Sequence, residues 1–142
     1  MGLNILVVDD SGVMRAMIIK TLKMCGVDIG EIFQAANGAE GLEQLKKNWV
    51  DVVLVDMNMP VMGGEEMIDR MRQNPVTKDL PVVVVSTESS QSRIEMLEKK
   101  SSGFVHKPFN PEIIKGVIDT ITGGTDGNPT EGKALQGVGQ DF

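Results

Sequence analysis

The sequence predicts an open parallel α/β sheet built from five βα units, and three observations predict it. Four short apolar runs, Ile5-Leu6-Val7-Val8, Val52-Val53-Leu54-Val55, Val82-Val83-Val84-Val85 and Phe104-Val105, are rich in β-branched residues. Runs without polar alternation read as strands buried on both faces, as parallel sheets require. The gaps between them carry helical spacing of apolar residues, and strands that alternate with helices imply a parallel sheet. Finally, Asp9, Asp10, Asp56, Ser86 and Lys107 stand at or just past the C-terminal ends of these runs. Strand C-termini share one edge of such a sheet, and ligands bind in the crevice there.

Taken in order, the strands are predicted over 4–8, 32–36, 51–56, 81–86 and 103–106. The first helix, 12–25, places Met14, Met17, Ile18, Leu22 and Cys25 on one face, with Ser11 as N-cap. The second, 39–47, buries Leu42 and Leu45; the third, 65–73, buries Met67, Ile68 and Met71 and is stopped by Pro75. The fourth, 90–100, offers only Ile94, Met96 and Leu97 before Glu98-Lys99-Lys100-Ser101-Ser102. It reads either as an ordinary solvated helix or as one that shifts at little cost. The fifth, 111–122, opens on Pro111 and repeats Ile114, Val117, Ile118 and Ile121 at helical spacing. From Gly123 the composition changes: residues 123–142 hold six glycines and no periodicity, a flexible tail behind a single domain over 1–122.

With 142 residues, 41% of them hydrophobic, the chain has material for one real core. A net charge of −6 argues against a nucleic-acid binder, which needs a basic face. The single cysteine, Cys25, excludes an internal disulfide and reads as a small buried hydrophobe. No signal peptide and no apolar run of membrane-spanning length is visible, so a cytoplasmic protein without membrane contact is expected.

Three carboxylates at one strand edge repel unless a proton or a cation neutralises them. A hard divalent ion with oxygen ligands is the economical answer, and magnesium, which uses one or two carboxylates and bridges to phosphate, suits it. Zinc is not expected, because no His/Cys cluster exists and the sole histidine, His106, should face away from Lys107. A carboxylate beside a metal can attack a phosphoryl donor to give an acyl phosphate, and Asp56, at the end of a central strand, is placed to do so. Lys107 then offers a point charge and Ser86 a hydroxyl to the phosphoryl oxygens, Asp9 and Asp10 hold the ion, and Asn58 offers a backbone carbonyl. Each part alone has a bland alternative: Asp9-Asp10-Ser11 as a helix cap, Asp56 as a loop start, Ser86 and Thr87 as strand-end hydroxyls, Lys107-Pro108 as a turn. Their joint order along the chain is what argues for a site.

That order resembles the receiver domain of response regulators, in its single-domain chemotaxis, CheY-type form. The resemblance covers residues 3–122 and rests on Ile5-Leu6-Val7-Val8-Asp9-Asp10-Ser11 with Met14-Arg15, on Val55-Asp56-Met57-Asn58-Met59-Pro60-Val61-Met62-Gly63-Gly64, on Val85-Ser86-Thr87-Glu88, and on Phe104-Val105-His106-Lys107-Pro108-Phe109. It implies a flavodoxin-like doubly wound sheet of strand order 2-1-3-4-5 with five helices. It implies that Asp56 accepts a phosphoryl group from a histidine kinase, with Mg²⁺ held by Asp10, Asp56 and the Asn58 carbonyl, and with Asp9 acting largely through a water. Ser86 takes the place of the switch hydroxyl, Phe104 that of the switch aromatic, and Asn58 and Glu88 those of residues that tune dephosphorylation. Such a domain is a signalling phosphoacceptor, not an enzyme beyond its own Mg²⁺-dependent phosphorylation and dephosphorylation.

Departures from the family pattern are Gly63 where an acidic or amide residue is common, Phe104 in place of a tyrosine, and Lys99-Lys100-Ser101-Ser102 in place of an Ala/Gly-rich stretch. Because a tail this short cannot form an output domain, the expected output is phosphorylation-dependent binding to a downstream protein, foremost the flagellar motor switch. The alternative is a phosphorelay intermediate that passes phosphate to a histidine phosphotransfer protein. An aspartate-nucleophile phosphatase is disfavoured, since the position of its acid/base holds Asn58. A flavin domain is disfavoured by the acidic Asp9-Asp10 loop.

Overall fold

The computed structural model describes residues 2–123. Five strands alternate with five helices: β1 (Leu3–Val8), α1 (Gly12–Met24), β2 (Ile29–Ala35), α2 (Gly38–Lys47), β3 (Val52–Val55), α3 (Gly64–Gln73), β4 (Val82–Ser86), α4 (Gln91–Lys100), β5 (Gly103–His106) and α5 (Pro111–Thr122). All neighbouring strands pair in parallel, in the order β2-β1-β3-β4-β5. This is the flavodoxin-like doubly wound order that the resemblance implies. The expected tail lies, apart from Gly123, outside the described residues.

Strand alternation splits the apolar runs between two cores. On one face Ile5, Val7, Val52, Leu54, Val83, Val85 and Val105 pack against Ile18, Leu22 and Cys25 of the α1 end and Ile114 and Ile118 of α5. On the other, Leu6, Val8, Val53, Val55, Val82 and Val84 pack against Met67, Ile68 and Met71 of α3 and Leu97 of α4, with Leu42 and Leu45 of α2 alongside. Both faces of the sheet are therefore covered, which explains why its central strands are uninterrupted apolar runs. Cys25 is buried, as expected, and no described helix is long and apolar enough to cross a membrane.

Two expectations need correction. Met17 does not share the buried face of α1; it is 56% exposed, and the core face runs through Met14, Ile18, Leu22 and Cys25. The four-residue spacing of Met14, Ile18 and Leu22 defines the stripe, and Met17 falls to its side. β2 begins at Ile29, not at residue 32, after a register shift between Leu3 and Ile5 in its pairing with β1. Asn4 sits at that irregularity. Its Oδ1 accepts from the Glu31 N–H at 2.9 Å, its own N–H donates to Asp51 Oδ2 at 2.8 Å, and its Nδ2 donates to the Trp49 carbonyl at 3.0 Å. A polar side chain thus completes a ladder that hydropathy alone does not reveal.

Helix starts follow side-chain capping. Ser11, Asn37, Ser90 and Asn110 each accept a hydrogen bond from the backbone N–H three residues on. α3 is the exception: Gly63 precedes it without a side-chain cap, and Glu65 and Glu66 supply negative charge to its first turn.

Candidate functional site

Asp9, Asp10, Asp56, Ser86 and Lys107 lie at the C-terminal edge of the sheet, held there by the strand ladders. The Asp9 N–H donates to the Ala35 carbonyl at 3.1 Å and the Asp56 N–H to the Val8 carbonyl at 2.9 Å, so both aspartates continue the pairing of their strands. The Lys107 N–H donates to the Ser86 carbonyl at 2.8 Å, which ties the end of β5 to that of β4. The Lys107–Pro108 peptide is cis.

Asp9, Asp10 and Asp56 converge: each offers a carboxylate oxygen, and these oxygens lie within 4.8 Å of one another. Asp9 is only 2% exposed, whereas Asp10 faces solvent. Asp9 Oδ1 accepts from the Ser11 N–H at 2.9 Å. Lys107 Nζ reaches across the group, 3.3 Å from Asp9 Oδ2 and 3.4 Å from Asp56 Oδ1. Burial raises the Asp56 carboxyl above the ordinary aspartate range; Lys107 pulls it back, and the Asp9 charge raises it further. The oxygen-only donor set, one buried and two more accessible, suits a hard divalent cation.

Ser86 is buried at the end of β4, and its Oγ accepts from the Glu88 N–H at 3.0 Å. Glu88 in turn accepts from the Ser90 N–H at 3.0 Å, so the chain from Ser86 to the α4 N-cap is one continuous set of local bonds. Asn58 is exposed in the loop that leaves Asp56. Phe104 is not brought into the carboxylate group. It is half-buried on β5, packed with the core of the α4 face, while His106 is exposed.

The loop after Asp56 is the tightest piece of backbone around the site. A Cβ on Gly64 would overlap the Asp56 carbonyl oxygen, so only glycine lets α3 start this close to β3. Gly63, by contrast, has an ordinary extended backbone, and the left-handed position falls on Val61, with φ 69°. The Met62 N–H donates to the Pro60 carbonyl at 2.7 Å, which closes a γ-turn around Val61.

One residue given no role by the sequence is Arg15. Its Nη1 donates to the Asp9 carbonyl at 2.6 Å and its Nε to Gln34 Oε1 at 3.0 Å, so α1 fixes the peptide between the two adjacent aspartates. An arginine one turn into the first helix, just after an acidic pair, is the signal that could have found it.

A family model described as the response regulator receiver domain matches residues 5–119. This chain belongs to that family. The chemotaxis protein CheY homolog of Campylobacter jejuni is 34% identical over 123 residues, covering 85% of this chain and 93% of that protein. Chemotaxis protein CheY1 of Helicobacter pylori is 31% identical over 126 residues, covering 87% of this chain and 100% of its own length. The solved structure of Vibrio cholerae chemotaxis protein CheY4 superposes with a TM-score of 0.75 at 33% identity, over 85% of this chain and 99% of that one. The matched span ends inside α5, so the receiver fold accounts for almost all of the described residues.

Proposed function

We propose that this receiver domain is a phosphorylation-activated regulator of chemotaxis, in which Asp56 is the phosphoacceptor. The observation that carries the reading is the bridge from Lys107 to both Asp9 and Asp56 beside a third carboxylate, Asp10. Asp9, Asp10, Asp56 and the Asn58 carbonyl would hold Mg²⁺, which when bound neutralises the carboxylates and the incoming phosphoryl oxygens. The protein's own part is positioning. Asp56 is fixed by its ladder bond to Val8, so its carboxylate points into the crevice where a phosphohistidine of a histidine kinase can approach. The phosphorus–nitrogen bond of the donor breaks as a phosphorus–oxygen bond to Asp56 forms. Lys107 then moves its attention from carboxylate to phosphoryl oxygen, and the Ser86 hydroxyl donates to another.

Phosphorylation of Asp56 draws Ser86 toward the new oxygens, Phe104 turns into the space left, and the face of α4, β5 and α5 changes shape. The phosphorylated form binds its target in the cytoplasm, and relatives named as chemotaxis proteins over nearly their whole length support the flagellar motor switch as that target. Asn58 and Glu88, on the two loops that flank the pocket, tune how long the acyl phosphate survives.

The test is acetyl phosphate labelling with Mg²⁺, followed by capture of binding partners with beryllofluoride-treated protein. Wild type should incorporate acid-stable, base-labile phosphate and retain a motor-switch protein, while Asp56→Asn should do neither. Equal labelling of Asp56→Asn would overturn the phosphoacceptor. Retention of a histidine phosphotransfer protein and no motor protein would overturn the chemotaxis output in favour of a relay.

A further inference from the structure

Outside the carboxylate pocket, four charged side chains converge to join α3 to α4. Glu65 accepts from Arg93 Nη2 at 2.7 Å and from Lys100 Nζ at 2.8 Å, and Lys100 also lies 3.3 Å from Asp69 Oδ1. Glu65 and Asp69 are one turn apart on α3, while Arg93 and Lys100 lie in the first and last turns of α4. The two cations therefore tie α4 to α3 near both of its ends. Apolar packing holds the two helices unequally: α3 buries Met67, Ile68 and Met71, whereas α4 buries Leu97 alone.

Both helices start from the pocket. α3 begins where Gly64 meets the Asp56 carbonyl, and α4 begins at the end of the bonded segment Ser86–Glu88–Ser90. Partly exposed ion pairs contribute little to global stability one at a time. A displacement of α4 relative to α3, however, breaks three of them together. Contacts present in one arrangement of a helix and absent in another bias the equilibrium between the two.

We propose that Glu65, Asp69, Arg93 and Lys100 form an ionic latch that holds α4 in its resting position and sets how readily phosphorylation turns the domain on. The latch rests on the reading of Asp56 as phosphoacceptor. A pull on Ser86 reaches α4 through residues 87–90, and the ion pairs oppose it. Their removal raises the resting population of the active arrangement without altering any pocket residue.

The experiment uses the full chain as wild type, Glu65→Gln, Lys100→Gln and the double variant. Amide exchange over residues 91–100, without phosphate, should quicken about fivefold in Glu65→Gln, and amides of β1, β3 and α5 should keep their rates. Beryllofluoride with Mg²⁺ should bind that variant roughly threefold tighter, because less of the binding free energy goes to releasing α4. The double variant should exceed either single one but fall short of their sum, because the two share the Glu65–Lys100 pair, and 1 M salt should erase the gap to wild type. Unchanged exchange in α4, quickening shared by the whole sheet, or unchanged beryllofluoride affinity would each overturn the latch. A wild type that binds no beryllofluoride defeats the phosphoacceptor reading, and the latch as a regulator with it, even where α4 exchange still answers to Glu65→Gln.

Discussion

Asp56 carries its charge at a cost when no cation is bound. Its folded-state pKa is raised, chiefly by burial and further by Asp9, against the partial relief from Lys107. A raised carboxyl binds more protons folded than unfolded, so the stability it contributes is complete below the unfolded value of about 3.9 and is lost as pH climbs through the folded one. Asp56→Asn should therefore melt higher than wild type in metal-free buffer at pH 7, with the difference vanishing near pH 3. Melting curves across that range check it, and a lower neutral melting temperature for the variant would contradict the burial of a charge. Magnesium should reverse the comparison. At 100 times its dissociation constant an ion stabilises by about 2.7 kcal/mol, and Asp10→Asn and Asp56→Asn should each lose most of that gain. A second single-residue expectation concerns Val61, a β-branched residue at φ 69° and 83% exposed. A left-handed backbone strains such a side chain, and asparagine tolerates it. Val61→Asn should stabilise the protein by about 1 kcal/mol in urea denaturation. A loss instead would mean that the turn needs the valine.

Between elements, the consequential connection runs from β4 through Ser86 and Glu88 to the cap of α4. Ser86→Ala removes the hydroxyl proposed to contact phosphate and leaves the carboxylates and Lys107 in place. It should still be labelled at Asp56 by acetyl phosphate yet gain less than about a tenth of the wild-type increase in partner affinity. Lys107→Ala should separate labelling from binding in the same way. Full phosphate-dependent binding by Ser86→Ala would show that the partner reads the phosphorylated edge directly. The strands of this connection were legible in the sequence because each central strand is buried on both faces and so is written as an unbroken apolar run. Edge strand β2 was legible only in its second half: Gly30 and Glu31 face solvent, and its start depends on Asn4, whose bonds cross 27 and 47 residues. The ion pairs between α3 and α4 were hidden for a related reason. Glu65 and Lys100 lie 35 residues apart, and a sequence gives both only as charges on exposed helix faces. Pocket residues were legible because chain order and strand polarity alone bring them to one edge. Arg15 was not, since its target is a backbone carbonyl.

At the scale of the whole molecule, the sheet separates the site from the other end of the domain. Trp49 lies before β3, 78% exposed, with its Nε1 donating to Asp51 Oδ1 at 3.0 Å. Asp56 follows the same strand at its far end, so the two are separated by about 15–20 Å at ~3.3 Å per strand residue. Met57, not an aromatic residue, sits directly after Asp56. Mg²⁺ and beryllofluoride should leave tryptophan emission within about 10% of its starting intensity, since no contact quencher reaches the indole at such a distance. Strong quenching in a fluorescence titration would require a rearrangement that spans the sheet.

The boundary at residue 122 is the remaining proposal at this scale, and α5 supplies the argument for it. The helix closes on Gly123 in a left-handed conformation, φ 63°, whose N–H donates to the Asp119 carbonyl. Its end is therefore capped by Gly123, the first residue past the boundary, and by no residue further on. Ile114 and Ile118 are fully buried against the sheet, and both lie well upstream of that cap. Residues 123–142 add Ala134, Leu135, Val138 and Phe142 as their apolar side chains among six glycines. Ordering one residue costs about 1–2 kcal/mol of backbone entropy, and a fully buried large apolar side chain returns about 1.5–3 kcal/mol. Four apolar groups weigh little against the cost of ordering twenty residues, so we propose that the pocket and the core do not depend on this segment. A chain ending at Thr122 should take phosphate from acetyl phosphate at the full-length rate, and its melting temperature should fall by no more than about 2 °C, the loss of one C-cap. A labelling rate reduced more than tenfold would show that the segment packs on the body of the domain, and Leu135 and Phe142 would be the first residues to substitute.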